Sequence, residues 1–137
     1  MRDNSLMPLE GAHSVLIVED SENAAAMLEI TLAGIPGVAV QWATNAVDAL
    51  RILNDGGPAV RAVVTDLNMP RMDGFELIRR IRADERLSHM PIMVVSADTD
   101  PATPQRIAQL RVNAFFPKPF SPAQVRRKME QLLDGAV

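Results

Sequence analysis

Along the chain, short unbroken apolar runs alternate with longer segments in which apolar residues recur at helical spacing. Val15-Leu16-Ile17-Val18 is such a run, the pattern of a strand covered on both faces. Residues 22–34 follow with Ala25, Leu28 and Leu32 on one helical face, and Gly34 and Pro36 stop the helix. Val38-Ala39-Val40-Gln41-Trp42 predicts a second strand. Residues 45–54 predict a helix with Ala46, Ala49, Leu50 and Leu53 inward, ended by Gly56-Gly57-Pro58. Ala62-Val63-Val64-Thr65 is a third strand, and residues 73–84 a helix carrying Phe75, Leu77, Ile78 and Ile81. Asp73-Gly74 reads as the turn and N-cap before it. Pro91–Val95 is a fourth strand, with proline tolerated at its first residue.

The next helix has two candidate starts. Beginning at Asp100-Pro101 would put Pro104 at the fourth helical position, where its missing N–H costs a bond. Thr103 as N-cap and Pro104 at N1 avoids this, giving a helix of residues 104–111 after a loop from Ala97 to Asp100. Asn113 is the expected left-handed residue beyond it. Ala114-Phe115-Phe116 is a fifth strand. Ser121-Pro122-Ala123-Gln124 reads as a capping box opening a last helix to about residue 133. Five strands alternating with five helices predict an α/β fold, a parallel sheet covered on both faces. The pattern leaves the strand order open.

Length and composition narrow the function classes. The 137 residues suit one domain: residues 1–12, aperiodic and broken by Pro8 and Gly11, read as a flexible arm, and residues 13–137 as the domain. A net charge of −3 speaks against a nucleic-acid-binding surface. With no cysteine and only two isolated histidines, His13 and His89, disulfide frameworks, thiolate zinc sites and histidine metal clusters are excluded. No apolar run reaches the ~18 residues of a membrane span, and residues 1–12 lack the apolar core of a signal peptide. The expected setting is the cytoplasm. Of the 14 basic residues only Lys118 and Lys128 are lysines.

The polar residues that end the apolar strands carry the chemistry. The first strand ends in Glu19-Asp20, the third in Asp66 and the fourth in Ser96; Lys118 follows the fifth. In a parallel sheet these ends share one edge, where ligands of open α/β folds bind. Three carboxylates at close quarters repel, and a hard divalent cation such as Mg²⁺ resolves the repulsion. Lys118 adds a compact positive charge. The outcome is a carboxylate flanked by cations, suited to in-line attack on phosphorus, a reaction that needs mainly positioning and charge neutralisation.

Four ordered blocks, Val18-Glu19-Asp20-Ser21, Asp66-Leu67-Asn68-Met69-Pro70-Arg71-Met72-Asp73-Gly74, Val95-Ser96-Ala97 and Lys118-Pro119-Phe120, closely resemble the signature segments of response-regulator receiver domains of two-component signalling. The resemblance runs from about Ser14 to Leu133. It implies a flavodoxin-like, doubly wound sheet of order 2-1-3-4-5 with five helices. It implies Asp66 as phosphoacceptor, and Mg²⁺ held by Glu19, Asp20, Asp66 and the backbone carbonyl of Asn68. Ser96, Ala97 and Lys118 would bind the phosphoryl group. Ser96 and Phe115 would form the switch, the aromatic ring turning inward on activation. Asn68 and Asp98 would tune the phosphoryl lifetime, and Pro119 would follow a cis peptide bond. The implied partners are a histidine kinase or histidine phosphotransfer protein, an unknown output protein, and a second copy across the face of the fourth helix, fifth strand and fifth helix. Members often carry glycine after the fourth helix, where this chain has Gln109–Ala114.

Taken singly, most of these residues have blander readings. Glu19-Asp20 could be a solvated loop pair, Ser96 a polar strand end, and Phe115 and Phe116 core residues. Arg126-Arg127-Lys128 and Arg79-Arg80-Arg82 read as solvated helix faces. Two other functions compete with the switch. One is a binding module on the same fold that works without phosphorylation. The other is a metal-dependent phosphohydrolase with an aspartate nucleophile, which wants a second carboxylate two residues on, where this chain has Asn68.

Overall fold

The computed structural model of the chain describes residues 13–55 and 59–135. The arm expected over residues 1–12 and the Gly56-Gly57-Pro58 stop lie outside them. Five strands, β1 (His13–Val18), β2 (Val38–Ala43), β3 (Val60–Thr65), β4 (Ile92–Ser96) and β5 (Ala114–Pro117), alternate with five helices, α1 (Glu22–Ala33), α2 (Ala46–Asn54), α3 (Gly74–Ala83), α4 (Thr103–Gln109) and α5 (Pro122–Leu133). All strands pair in parallel, in the order β2-β1-β3-β4-β5. The unbroken apolar runs occupy the inner strands, where Val15–Val18, Ala62–Val64 and Ile92–Val95 are fully buried. The edge strands β2 and β5 are only partly covered.

The two faces of the sheet make two cores. One gathers alternate residues of β1, β3 and β4 (Leu16, Val63, Val94) with α2, α3 and Ile107 of α4. The other gathers the intervening residues (Val15, Ile17, Val64, Met93) with Leu28 and Leu32 of α1 and Val125 and Met129 of α5. The strand order reverses between β1 and β3, so their C-terminal ends open side by side on one edge.

Local chemistry explains the helix starts. Ser21, Asn45, Asp73 and Ser121 each accept the backbone N–H three residues ahead. Asp73 and Ser121 thus cap as the sequence predicts. The fourth helix departs from expectation. It begins at Thr103 itself, after Ala102, and no side chain caps it. Thr103 is itself the first helical residue and so is not the N-cap; its hydroxyl donates to Asp98 Oδ1 at 2.8 Å.

The helix also ends early, at Gln109. The left-handed residue after it is Arg111 (φ 57°), not Asn113. Asn113 is occupied otherwise: its side-chain oxygen accepts Ile92 N–H at 2.8 Å, and its own N–H donates to Ile92 O at 2.8 Å. The turn is pinned by Arg82 of α3, which donates to the carbonyls of Ser88, Met90, Leu110 and Arg111 at 2.7–3.1 Å. Arg82 is therefore a structural clamp rather than part of a solvated face.

Candidate functional site

Each candidate group is delivered by the end of a strand. Asp66 N–H donates to Val18 O at 3.1 Å and Glu19 N–H to Ala43 O at 3.1 Å, extending the sheet one residue past β3 and β1. The Trp42 indole N–H also bonds Glu19 O at 2.8 Å. These backbone anchors hold Glu19 and Asp66 on neighbouring strands. Lys118 N–H donates to Ser96 O at 3.1 Å, which registers the loop after β5 against the end of β4. The Lys118–Pro119 peptide bond is cis, as the resemblance implies.

Across the sheet edge the Lys118 ammonium bridges two acids, donating to Glu19 Oε1 at 2.7 Å and Asp66 Oδ2 at 2.9 Å. Asp66 Oδ1 accepts the N–H groups of Leu67 (2.6 Å) and Asn68 (3.3 Å). Glu19 Oε2 accepts Ser21 N–H at 3.1 Å. Glu19 is 1% exposed and Asp66 9%, so both carboxylates rely on these partners. Asp20 is exposed beside them. One carboxylate oxygen from each of Glu19, Asp20 and Asp66 lies within 4.8 Å of the other two.

The shared ammonium acts differently on the two buried acids. Burial pushes the Asp66 carboxyl up, but hydrogen bonds from Lys118, from the Ser96 hydroxyl and from Leu67 N–H outweigh it and hold it below the usual aspartate range. For Glu19 burial prevails over Lys118 and Ser21, and its carboxyl is held above the usual range. Burial lowers Lys118, but Asp66 and Glu19 overcome this and keep the ammonium charged beyond its ordinary range. Three acids facing one ammonium leave a deficit of positive charge. All the donors are hard oxygens, with neither sulfur nor imidazole among them. The set fits a small dication of the Mg²⁺ type.

Ser96 is buried at the end of β4, its Oγ accepting Asp98 N–H at 3.2 Å, and Ala97 follows it, exposed. Hydrogen bonds from the Thr103 hydroxyl and Asp100 N–H, with a smaller contribution from the Asn68 side chain, hold the Asp98 carboxyl below its usual range. Phe115 lies apart. It pairs with Val94 in register on the edge strand and is 38% exposed, so its ring faces outward in this structure. Phe116 packs on the core, as the blander reading expected. Arg71 takes a left-handed conformation (φ 69°) in the loop between Asp66 and Asp73.

Sequence reasoning did not find the Glu19–Lys118 contact, the Trp42 anchor or the Asp98–Thr103 bond. The first joins residues 99 apart, and no local pattern announces it. Thr103 carried a cap signal, and that signal pointed to the wrong partner.

A family model for the response regulator receiver domain matches residues 15–130. The chain is 32% identical over 120 residues to the chemotaxis protein CheY-3 of Vibrio cholerae, covering 88% of this chain and 91% of that one. It is likewise 32% identical over 120 residues to the chemotaxis protein CheY of Pseudomonas aeruginosa, covering 88% and 95%. A response regulator receiver protein from Pseudomonas putida superposes with a TM-score of 0.79 at 30% identity, covering 88% of this chain and 97% of that one.

Proposed function

The chain belongs to the response regulator receiver domain family, and on that premise we propose that it is a switch charged with a phosphoryl group on Asp66. One observation carries the reading. Asp66 is a buried carboxylate kept ionised by Lys118, with two further acids within 4.8 Å to bind a dication. Attack by an Asp66 oxygen on a phosphohistidine or small acyl phosphate forms the new P–O bond and expels the donor. Mg²⁺, when bound, would neutralise the phosphoryl oxygens. Asp20, Asp66 and the Asn68 carbonyl would hold it. Glu19, whose oxygens accept Lys118 and Ser21 N–H, would join them and add negative charge. Lys118, which bridges Glu19 and Asp66, would move to pair the phosphoryl group, and Ser96 and the Ala97 N–H would complete the cradle.

The charging partner is a histidine kinase or histidine phosphotransfer protein in the cytoplasm. The readout is an output protein, or a second copy, meeting the α4–β5–α5 face, where Phe115 would turn inward. Among the described residues no helix is long and apolar enough to cross a membrane. Incubation with acetyl phosphate and Mg²⁺ should add one phosphoryl group by mass spectrometry. The adduct should disappear with EDTA and in Asp66→Ala. An adduct that persists in Asp66→Ala would overturn the assignment. Output binding unchanged by charging would favour the phosphorylation-independent module.

A further inference from the structure

At the end of the sheet away from the acids, α3, the loop before β4 and the turn before β5 enclose a small basic cavity of about 210 Å³. Its walls are Arg82, Ser88, His89, Arg111 and Asn113, and no acid lines it. Asn113 ties it to Ile92 at the start of β4. Ser96 ends that strand four residues on, roughly 13 Å away at the rise of a parallel strand. Two features of the walls are unfavourable as they stand. The half-buried Arg82 guanidinium is met by four carbonyls and by Asn113 Oδ1, and by no carboxylate. Burial and the neighbouring Arg111 both hold it below its ordinary range. Arg111 itself takes φ 57°, a left-handed conformation whose steric cost only glycine escapes. Among the described residues neither arginine enters a salt bridge. Two guanidiniums thus line one cavity without a counter-charge, one of them on a strained backbone.

We infer that this cavity binds a tetrahedral oxyanion, either inorganic phosphate or the phosphate group of a small phosphomonoester. Arg111 would supply the planar pair of N–H donors that grips two oxygens. His89 offers a ring N–H in either protonation state. Asn113, whose side-chain oxygen is held by Ile92 N–H, keeps its amide NH₂ for a third oxygen. Arg82, with its N–H groups committed to carbonyls, would act through its charge alone. The volume lies below the roughly 300 Å³ at which pockets for drug-sized ligands begin, so it suits the anionic group itself. An anion there neutralises both guanidiniums and offsets the strain of the left-handed turn that brings Arg111 to the cavity wall. It also joins the loop before β4 to the turn before β5. The site is separate from Asp66 and does not depend on its charging.

Thermal unfolding in EDTA, with inorganic phosphate set against potassium chloride of equal ionic strength, tests this. Phosphate at about ten times its Kd should raise Tm by about 4 °C over chloride. Arg111→Gly should lose that rise; glycine takes φ 57° freely, so the fold is kept. Asp66→Ala should keep the rise, which separates this cavity from the acid cluster. In the same buffers the amide NMR signals of Ser88–Met90 and Leu110–Asn113 should move saturably with phosphate and not with chloride. Glycerol phosphate, titrated in parallel, identifies the source. Tighter binding than inorganic phosphate assigns the cavity to a phosphomonoester, and weaker binding to the free ion. An equal rise in chloride, no rise with either phosphate, a rise that survives Arg111→Gly, or one lost in Asp66→Ala would overturn the inference.

Discussion

A single ammonium holds two buried carboxylates, and much follows from it. Replacing Lys118 by Met leaves Glu19 and Asp66 facing one another without a counter-charge, and should cost about 3 kcal/mol of stability. Urea unfolding checks this, and added Mg²⁺ should recover part of the loss, since it binds only the folded site. A fall below about 0.5 kcal/mol, the scale of exposed ion pairs, would contradict the picture. Gly74 is a second residue the site depends on. A Cβ there would press into the Asp66 carbonyl oxygen and lie 2.7 Å from Leu67 Cα. Gly74→Ala should therefore cost about 3 kcal/mol and weaken Mg²⁺ binding, because the backbone it displaces carries the acceptor. Isothermal titration with Mg²⁺ reads the second effect. The glycine was legible in the sequence as a turn residue. The close approach that requires it was not, because it depends on how α3 packs on the loop after β3.

At the scale of elements, the strands and the first three helices could be read closely from apolar periodicity, because their cores lie on regular faces. The fourth helix could not. Only Thr103 and Ile107 of its residues are buried, so periodicity has little to register, and its ends are set by distant partners. Asp98 holds the Thr103 hydroxyl at its start, where no side chain caps the helix. Arg82, 28 residues before Leu110, takes the carbonyl at its far end. Arg82→Ala should remove four charge-assisted bonds to backbone carbonyls and destabilise the fold by about 3 kcal/mol. The loss should be local as well as global. Amide exchange at Leu110–Asn113 should quicken more than exchange in β1 or β3, and uniform acceleration would argue against the clamp. The candidate site was more legible than this helix, because its acids and lysine mark strand ends. What could not be read was the sharing of one lysine between two acids.

For the whole molecule the acid cluster sets a pH response with two opposed parts. Asp66, held below its usual range, contributes stability that is complete above about pH 4 and is lost as the pH falls through its folded value. Glu19, held above its range, weighs against the fold while ionised, and that penalty lifts as the pH falls through its raised value toward about 4.3. In EDTA, then, mild acid should favour wild type over Glu19→Gln, with the gap between their unfolding free energies widening from neutrality toward about pH 4.5. A gap that stays flat or narrows would overturn the assignment of the raised group. The same cluster spans the chain: Lys118 reaches Asp66 across 52 residues and Glu19 across 99. During synthesis the acids emerge well before the amine that reconciles them. A nascent chain therefore carries mutually repelling acids and no finished reaction centre until β5 has docked, so competence to be charged requires the whole sheet.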